Sequence, residues 1–261
     1  MTPSGAKVET ALRDGVFRIW LSRPERHNAL VPELIADLRA AIVKAGEAEP
    51  VALVLSGRGH SFSTGGDISG FLAHAGSLKE LRTYAEELVG GLHDAILDLL
   101  AFPAPVLAAV NGPVTGGSTG LMLAADMVAM SERAFVQPYY CEVGFAPDGG
   151  WTALLPDRIG TAAALRIQYL NERIGAEKAR ALGIADSVRP LSQLEAEIDA
   201  WTSAIGQGFG QTHKATRANV WDAERLGAVR HRLDREKDRF LDLIARPETL
   251  SGMKDFGKKR A

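Results

Sequence analysis

Pro105–Asp126 reads PVLAAVNGPVTGGSTGLMLAAD. Pro105–Val110 is apolar without alternation, the pattern of a strand buried on both faces. Asn111–Gly117 is a glycine-rich loop, and Ser118–Ala125 reads as a helix. The same order stands upstream. Val51–Ser56 (VALVLS) is a second apolar run, Gly57–Asp67 (GRGHSFSTGGD) a second glycine loop, and Leu81, Leu88, Leu92, Ile96 and Leu99 mark a long amphipathic helix. Strand, loop and helix in rotation predict an α/β core with parallel strands. Each glycine loop then falls at a strand's C-terminal end, where such folds bind ligands.

Outward from this pair, Val8–Leu12 and Val16–Leu21 flank Arg13-Asp14-Gly15, which predicts a hairpin. Pro32 opens a helix carrying Ile35, Leu38, Ile42 and Ala45 on one face. Met127–Met130 and Phe135–Gln137 are short strand candidates, followed by a loop containing Pro147–Gly150, PDGG. From about Leu191 the pattern is helix without strand, so residues 1–190 are expected to form the core and 191–261 a helical C-terminal subdomain. There Arg225, Arg230, Arg232, Arg235, Lys237 and Arg239 alternate with Glu224, Asp234, Glu236 and Asp238, the texture of a solvated, ion-paired face.

Bulk properties narrow the function classes. Of 261 residues, 46% are apolar and 24% charged, an ordinary globular balance. A net charge of −2 provides no general attraction to nucleic acid or membranes. The single cysteine, Cys141, excludes an intrachain disulfide and a cysteine-based metal cluster. The N-terminus lacks an apolar signal core, and no apolar run approaches the roughly 20 residues of a membrane span. A cytoplasmic location is the resulting expectation.

The loops carry the candidate chemistry. Gly65 and Gly66 let a ligand approach the backbone. Gly117, at the start of a helix, adds a free N–H and the positive end of a dipole. Two such N–H groups converging on one oxygen would form an oxyanion hole. Either loop alone reads more readily as a tight turn. Neither matches the phosphate-binding or dinucleotide-binding patterns.

Six segments, in order, resemble the crotonase (enoyl-CoA hydratase/isomerase) family along nearly the whole chain. They are RPERHNAL at Arg23–Leu30, SFSTGGDI at Ser61–Ile68, AAVNGPVTGGSTGLMLAAD at Ala108–Asp126, VGFAPDGG at Val143–Gly150, ARALGIADSVRP at Ala179–Pro190 and FGKKRA at Phe256–Ala261. The resemblance implies an α/β spiral of ββα units with a helical C-terminal trimerisation region, assembled as a homotrimer or a dimer of trimers. It implies an acyl-CoA thioester substrate, with CoA arriving as part of the substrate and no other cofactor or metal. It gives Gly66 and Gly117 the two oxyanion N–H groups. It also lines the CoA pocket with Arg26, Ala29, Thr64, Gly65, Gly66, Asp67, Ile68 and Gly117. Asp67 would mainly tie down its loop. Lys254, Lys258, Lys259 and Arg260 could meet CoA phosphates or form a solubilising tail.

The sequence departs from the family's hydratases at both catalytic glutamates. Three residues after Gly117 stands Gly120, and the second position falls on Tyr139 or Tyr140. Asp148 corresponds to the single acidic residue that enoyl-CoA isomerases and a dehalogenase-type branch place in this loop. It is the expected acid/base, its pKa raised by burial beside Phe145 and Trp151. Glu142 is the alternative base, and 2-enoyl-CoA hydration is the alternative reaction. A thioester-binding module without catalysis is the alternative of another class. Tyr139 and Tyr140 are expected mainly to pack, and Cys141 to be a small buried residue. His60, His74 and His93 are expected to be solvated or capping.

Overall fold

The structure, a computed structural model, describes residues 6–258. The main sheet opens with the predicted hairpin, β1 (Val8–Arg13) antiparallel to β2 (Val16–Leu21). After helix α1 (Pro32–Glu47) comes β3 (Ala52–Gly57), parallel to β2. Helices α2 (Ile68–His74) and α3 (Leu78–Leu100) lead to β4 (Val106–Val110), parallel to β3. The short strand β5 (Val114–Thr115), a 3-10 turn at Gly116–Ser118 and α4 (Thr119–Leu123) precede β6 (Met127–Ser131). Next come β7 (Phe135–Gln137), α5 (Tyr140–Val143), α6 (Leu155–Ile159), α7 (Thr161–Tyr169), β8 (Ile174–Gly175), α8 (Ala176–Ala181) and β9 (Ser187–Arg189). Four helices end the described chain: α9 (Leu194–Gln207), α10 (Gly210–Val220), α11 (Ala223–Ile244) and α12 (Pro247–Lys258).

The six-stranded sheet has the order β1-β2-β3-β4-β6-β9, and β5-β7-β8 form a separate three-stranded sheet. β4 explains the unbroken apolar run. Val106, Ala108 and Val110 join the large core with α1 and α3, whereas Leu107 and Ala109 face Leu194 and Ile198 of α9. Such a strand offers no polar face for an alternating pattern. The two- and three-residue strands β5, β8 and β9 are not among the strand candidates, whereas β7, equally short, is.

Parallel pairing of β3 and β4 sets their following loops side by side. Asn28 then fastens the segment before α1 to the first loop. It is fully buried, and its Nδ2 donates to the carbonyls of Arg58, Ser61 and Phe62 at 2.9, 2.8 and 3.1 Å. Ser63 bridges to Val114, drawing the two glycine loops together. From the C-terminal side, the buried Arg217 of α10 ion-pairs with Asp126 at 2.7 Å and donates to the carbonyls of Leu99, Leu100 and Phe102.

Candidate active site

Gly66 forms a parallel bridge with Leu30 in which Leu30 N–H donates to Gly65 and Asp67 N–H donates to Leu30. In that geometry Leu30 engages the residues flanking Gly66, and Gly66 turns its own N–H to the opposite side. Gly117 lies in the first turn leading into α4, where helical N–H groups lack intrahelical acceptors. This geometry leaves both N–H groups to face a ligand. Both glycines line one cavity of about 70 Å³, together with Thr64, Gly65, Ile68 and Asp148.

Asp148 sits directly over Gly117. A side-chain carbon on Gly117 would lie 2.8 Å from Asp148 Oδ2 and 2.9 Å from Leu92 Cδ2. Tyr140 donates its hydroxyl to Asp148 Oδ1 at 2.6 Å. Burial pushes the Asp148 carboxyl up to about 7; the Tyr140 hydrogen bond opposes that rise, and the negative charge of Glu236 adds to it. The Tyr140 hydroxyl is itself held well above its ordinary range, chiefly by burial and then by Asp148, so it remains a donor.

The rest of the cavity is largely apolar. Phe145 packs against Phe71 and Phe240 at ring separations of 5.5 and 4.8 Å, and all three rings line the space. Among the described lining residues Asp148 is the only carboxylate.

Several predicted residues fall outside the cavity wall. Asp67 caps α2 by accepting from Ser69 N–H at 3.1 Å, and pairs with Arg23 and Arg26 at 3.2 and 3.0 Å. Arg26 is half-exposed beside it, and Ala29 is buried, its carbonyl accepting from Arg23. Lys259 and Arg260 lie outside the described residues. No three His, Cys, Asp or Glu side chains come together as a metal site among the described residues.

The structure corrects other expectations. The one-turn helix α5 buries Tyr140 and Val143 and exposes Cys141 and Glu142. Cys141 is therefore not a packed residue. Glu142 points to Asn171, whose amide donates to it at 2.5 Å, rather than into the cavity. Tyr140 does more than pack. His93 is buried rather than solvated, and its Nε2 accepts Gly149 N–H at 3.2 Å. Burial holds that imidazole neutral, down to about 3, with the nearby Lys237 acting in the same sense.

Glu236 is the largest correction. It is 3% exposed, with its Oε2 accepting from Gly150 N–H at 2.8 Å and its Oε1 from Thr152 and Ala153 N–H at 2.7 and 2.9 Å. A signal for it exists: Val229, Leu233, Glu236, Phe240 and Ile244 share one helical stripe. The surrounding Arg, Lys and Asp residues masked that register.

Comparison with known proteins agrees with this architecture. The family model for Enoyl-CoA hydratase/isomerase matches residues 11–261. A probable enoyl-CoA hydratase of Rhodobacter capsulatus is 34% identical over 82% of this chain and 82% of its own. Enoyl-CoA delta isomerase 2 of Rattus norvegicus is 28% identical over 72% of this chain and 47% of its own. A crystal structure of an enoyl-CoA hydratase from Mycobacterium avium subsp. paratuberculosis superposes with a TM-score of 0.82 at 29% identity, covering 97% of this chain and 96% of the other. Sequence and fold agree across almost the full length, and the chain belongs to the enoyl-CoA hydratase/isomerase family.

Proposed function

We propose that this member of the family is an enoyl-CoA isomerase that moves a double bond from position 3 to position 2 of an acyl-CoA. The observation that carries this reading is that Asp148, the one carboxylate among the described cavity residues, is set over Gly117, one of the two candidate N–H donors. The thioester oxygen sits between Gly66 and Gly117 N–H. Asp148, ionised, removes a proton from C2, and the electron pair moves onto the carbonyl oxygen as a dienolate. The same carboxyl then returns the proton at C4 as the carbonyl reforms and the double bond shifts. No atom is gained or lost and no electrons leave the substrate, so the chemistry calls for no redox cofactor.

A carboxyl held at about 7 suits both halves of such a transfer at neutral pH. Hydration would also need a group to orient water. A side-chain carbon at Gly120 would overlap the Gly149 carbonyl and Ile96, so a glutamate there has no room. CoA binding is assigned to the backbone of Thr64–Gly66 and to Ile68, which line the cavity, whereas Arg26 and Ala29 lie outside its wall.

Incubation with a 3-enoyl-CoA and, separately, a 2-enoyl-CoA tests the assignment. Conversion of the first to the conjugated thioester, without hydration of the second, supports it. Hydration of the second without conversion of the first replaces it with the hydratase reading. Binding of both without turnover replaces it with a thioester-binding module.

The pH profile provides a further prediction. Asp148 must be ionised to accept the C2 proton, so kcat/KM falls as pH drops through about 7. Tyr140→Phe removes the hydrogen bond that favours the carboxylate. Its acidic limb is expected to move to higher pH, read from kcat/KM between pH 5 and 9 (a window of about two units either side of neutrality).

A further inference from the structure

We propose that Glu236 is the positioning residue that holds the Asp148 loop in register with the oxyanion donors, and does so from the C-terminal helix α11. The inference rests on Asp148 being the acid/base of the reading above.

The N–H groups of Gly150, Thr152 and Ala153 lie at the turn before α6, where backbone donors need acceptors. Such donors are usually met by a local serine, threonine or aspartate. Here a glutamate more than 80 residues away takes all three, together with the Thr152 hydroxyl at 2.7 Å. Four donors and no required acceptor suit an ionised carboxylate, although burial pushes its proton affinity up. Its grip is two residues from Asp148. Between them, Gly149 N–H is held by His93 of α3. The loop is therefore fastened at both residues after the acid, by two helices that pack on each other. One turn further along α11, Phe240 enters the wall of the cavity.

The titratable and charged groups facing this loop are Tyr140 from α5, His93 from α3, and Glu236 and Arg232 from α11, with Lys237 beside His93; Arg232 donates to the Ala153 carbonyl at 3.2 Å. His93 is neutral, and after burial the negative charge of Glu236 is what raises the proton affinity of Asp148. A residue that merely stabilised the fold would affect melting and leave the proton affinity of Asp148 alone.

Glu236→Gln keeps the shape and can keep only part of the network. Its single carbonyl oxygen can serve the three donors on Thr152 and Ala153. Its amide then meets Gly150 N–H as donor against donor. The expected result is a kcat lowered about 10- to 100-fold in turnover of a 3-enoyl-CoA, with KM within about threefold of wild type. The Asp148 carboxyl, followed by infrared titration and identified by the band lost in Asp148→Asn, is expected to titrate at lower pH.

A folded Glu236→Gln with wild-type kcat and an unmoved Asp148 titration overturns the proposal. So does an equal loss across KM and kcat with no change in titration. If Glu236→Gln does not fold, Thr152→Val removes one of the four donors and is expected to lower kcat about threefold at constant KM; a wild-type kcat there overturns the proposal as well. Should wild-type protein not isomerise any substrate, amide hydrogen exchange at Gly150, Thr152 and Ala153 decides the positioning role separately from the reaction: faster exchange in Glu236→Gln supports it, and unchanged exchange overturns it.

Discussion

Asp148→Asn is expected to lower kcat for a 3-enoyl-CoA by about 10²–10⁴-fold, the span contributed by a positioned acid/base. Asparagine still accepts the Tyr140 hydroxyl but takes no proton near neutrality. KM should change little, because the thioester contacts assigned to Gly66 and Gly117 remain. The same variant carries a stability signature. The folded carboxyl binds its proton more tightly than the unfolded one, about 7 against 3.8. Its contribution to stability is therefore fully present below about pH 4 and is lost as pH rises through about 7, at up to ~1.4 kcal/mol per unit. Asparagine does not incur that loss. Asp148→Asn should unfold at a higher temperature than wild type at pH 8 and at a similar one at pH 4. Lower stability at pH 8 would contradict the buried, elevated carboxyl.

The second large effect is expected at Gly117. In Gly117→Ala the new methyl carbon would approach Asp148 Oδ2 to 2.8 Å and Leu92 Cδ2 to 2.9 Å. The acid and the thioester oxygen would both be displaced from the N–H. Loss of an oxyanion donor costs about 10²–10³ in kcat, and Gly117→Ala should fall in that range or below it. Steady-state kinetics with circular dichroism checks this. A folded alanine variant with kcat within threefold of wild type would remove Gly117 from the site.

What could be read from the sequence followed the range of the signal. β3 and β4 were legible because burial on two faces leaves a continuous apolar run. Gly66, Gly117 and Asp148 were legible as neighbours only because each stands in a short local motif and the motifs keep family order. The contacts of Asp148 were not. Tyr140 and Cys141 are adjacent, and only the one-turn helix α5 decides which is buried. His93 shares a stripe with Val89, Ile96 and Leu100, where an imidazole looks like a break in an apolar face. Glu236 acts on residues over 80 positions away, a separation that no periodicity spans.

The contact between Gly120 and the Gly149 carbonyl bears on how the family's chemistries could interconvert. A glutamate at Gly120 cannot be the opening substitution of a path towards two-carboxylate hydration, because the space belongs to the loop backbone. That loop must first withdraw, and His93 and Glu236 hold it where it is. The order of mutations is thereby constrained: release in the distant helices precedes any gain at the catalytic position. A side chain at position 120 that fits a chain with a withdrawn loop would not fit this one, so the sequence a chain starts from limits which reactions it can reach.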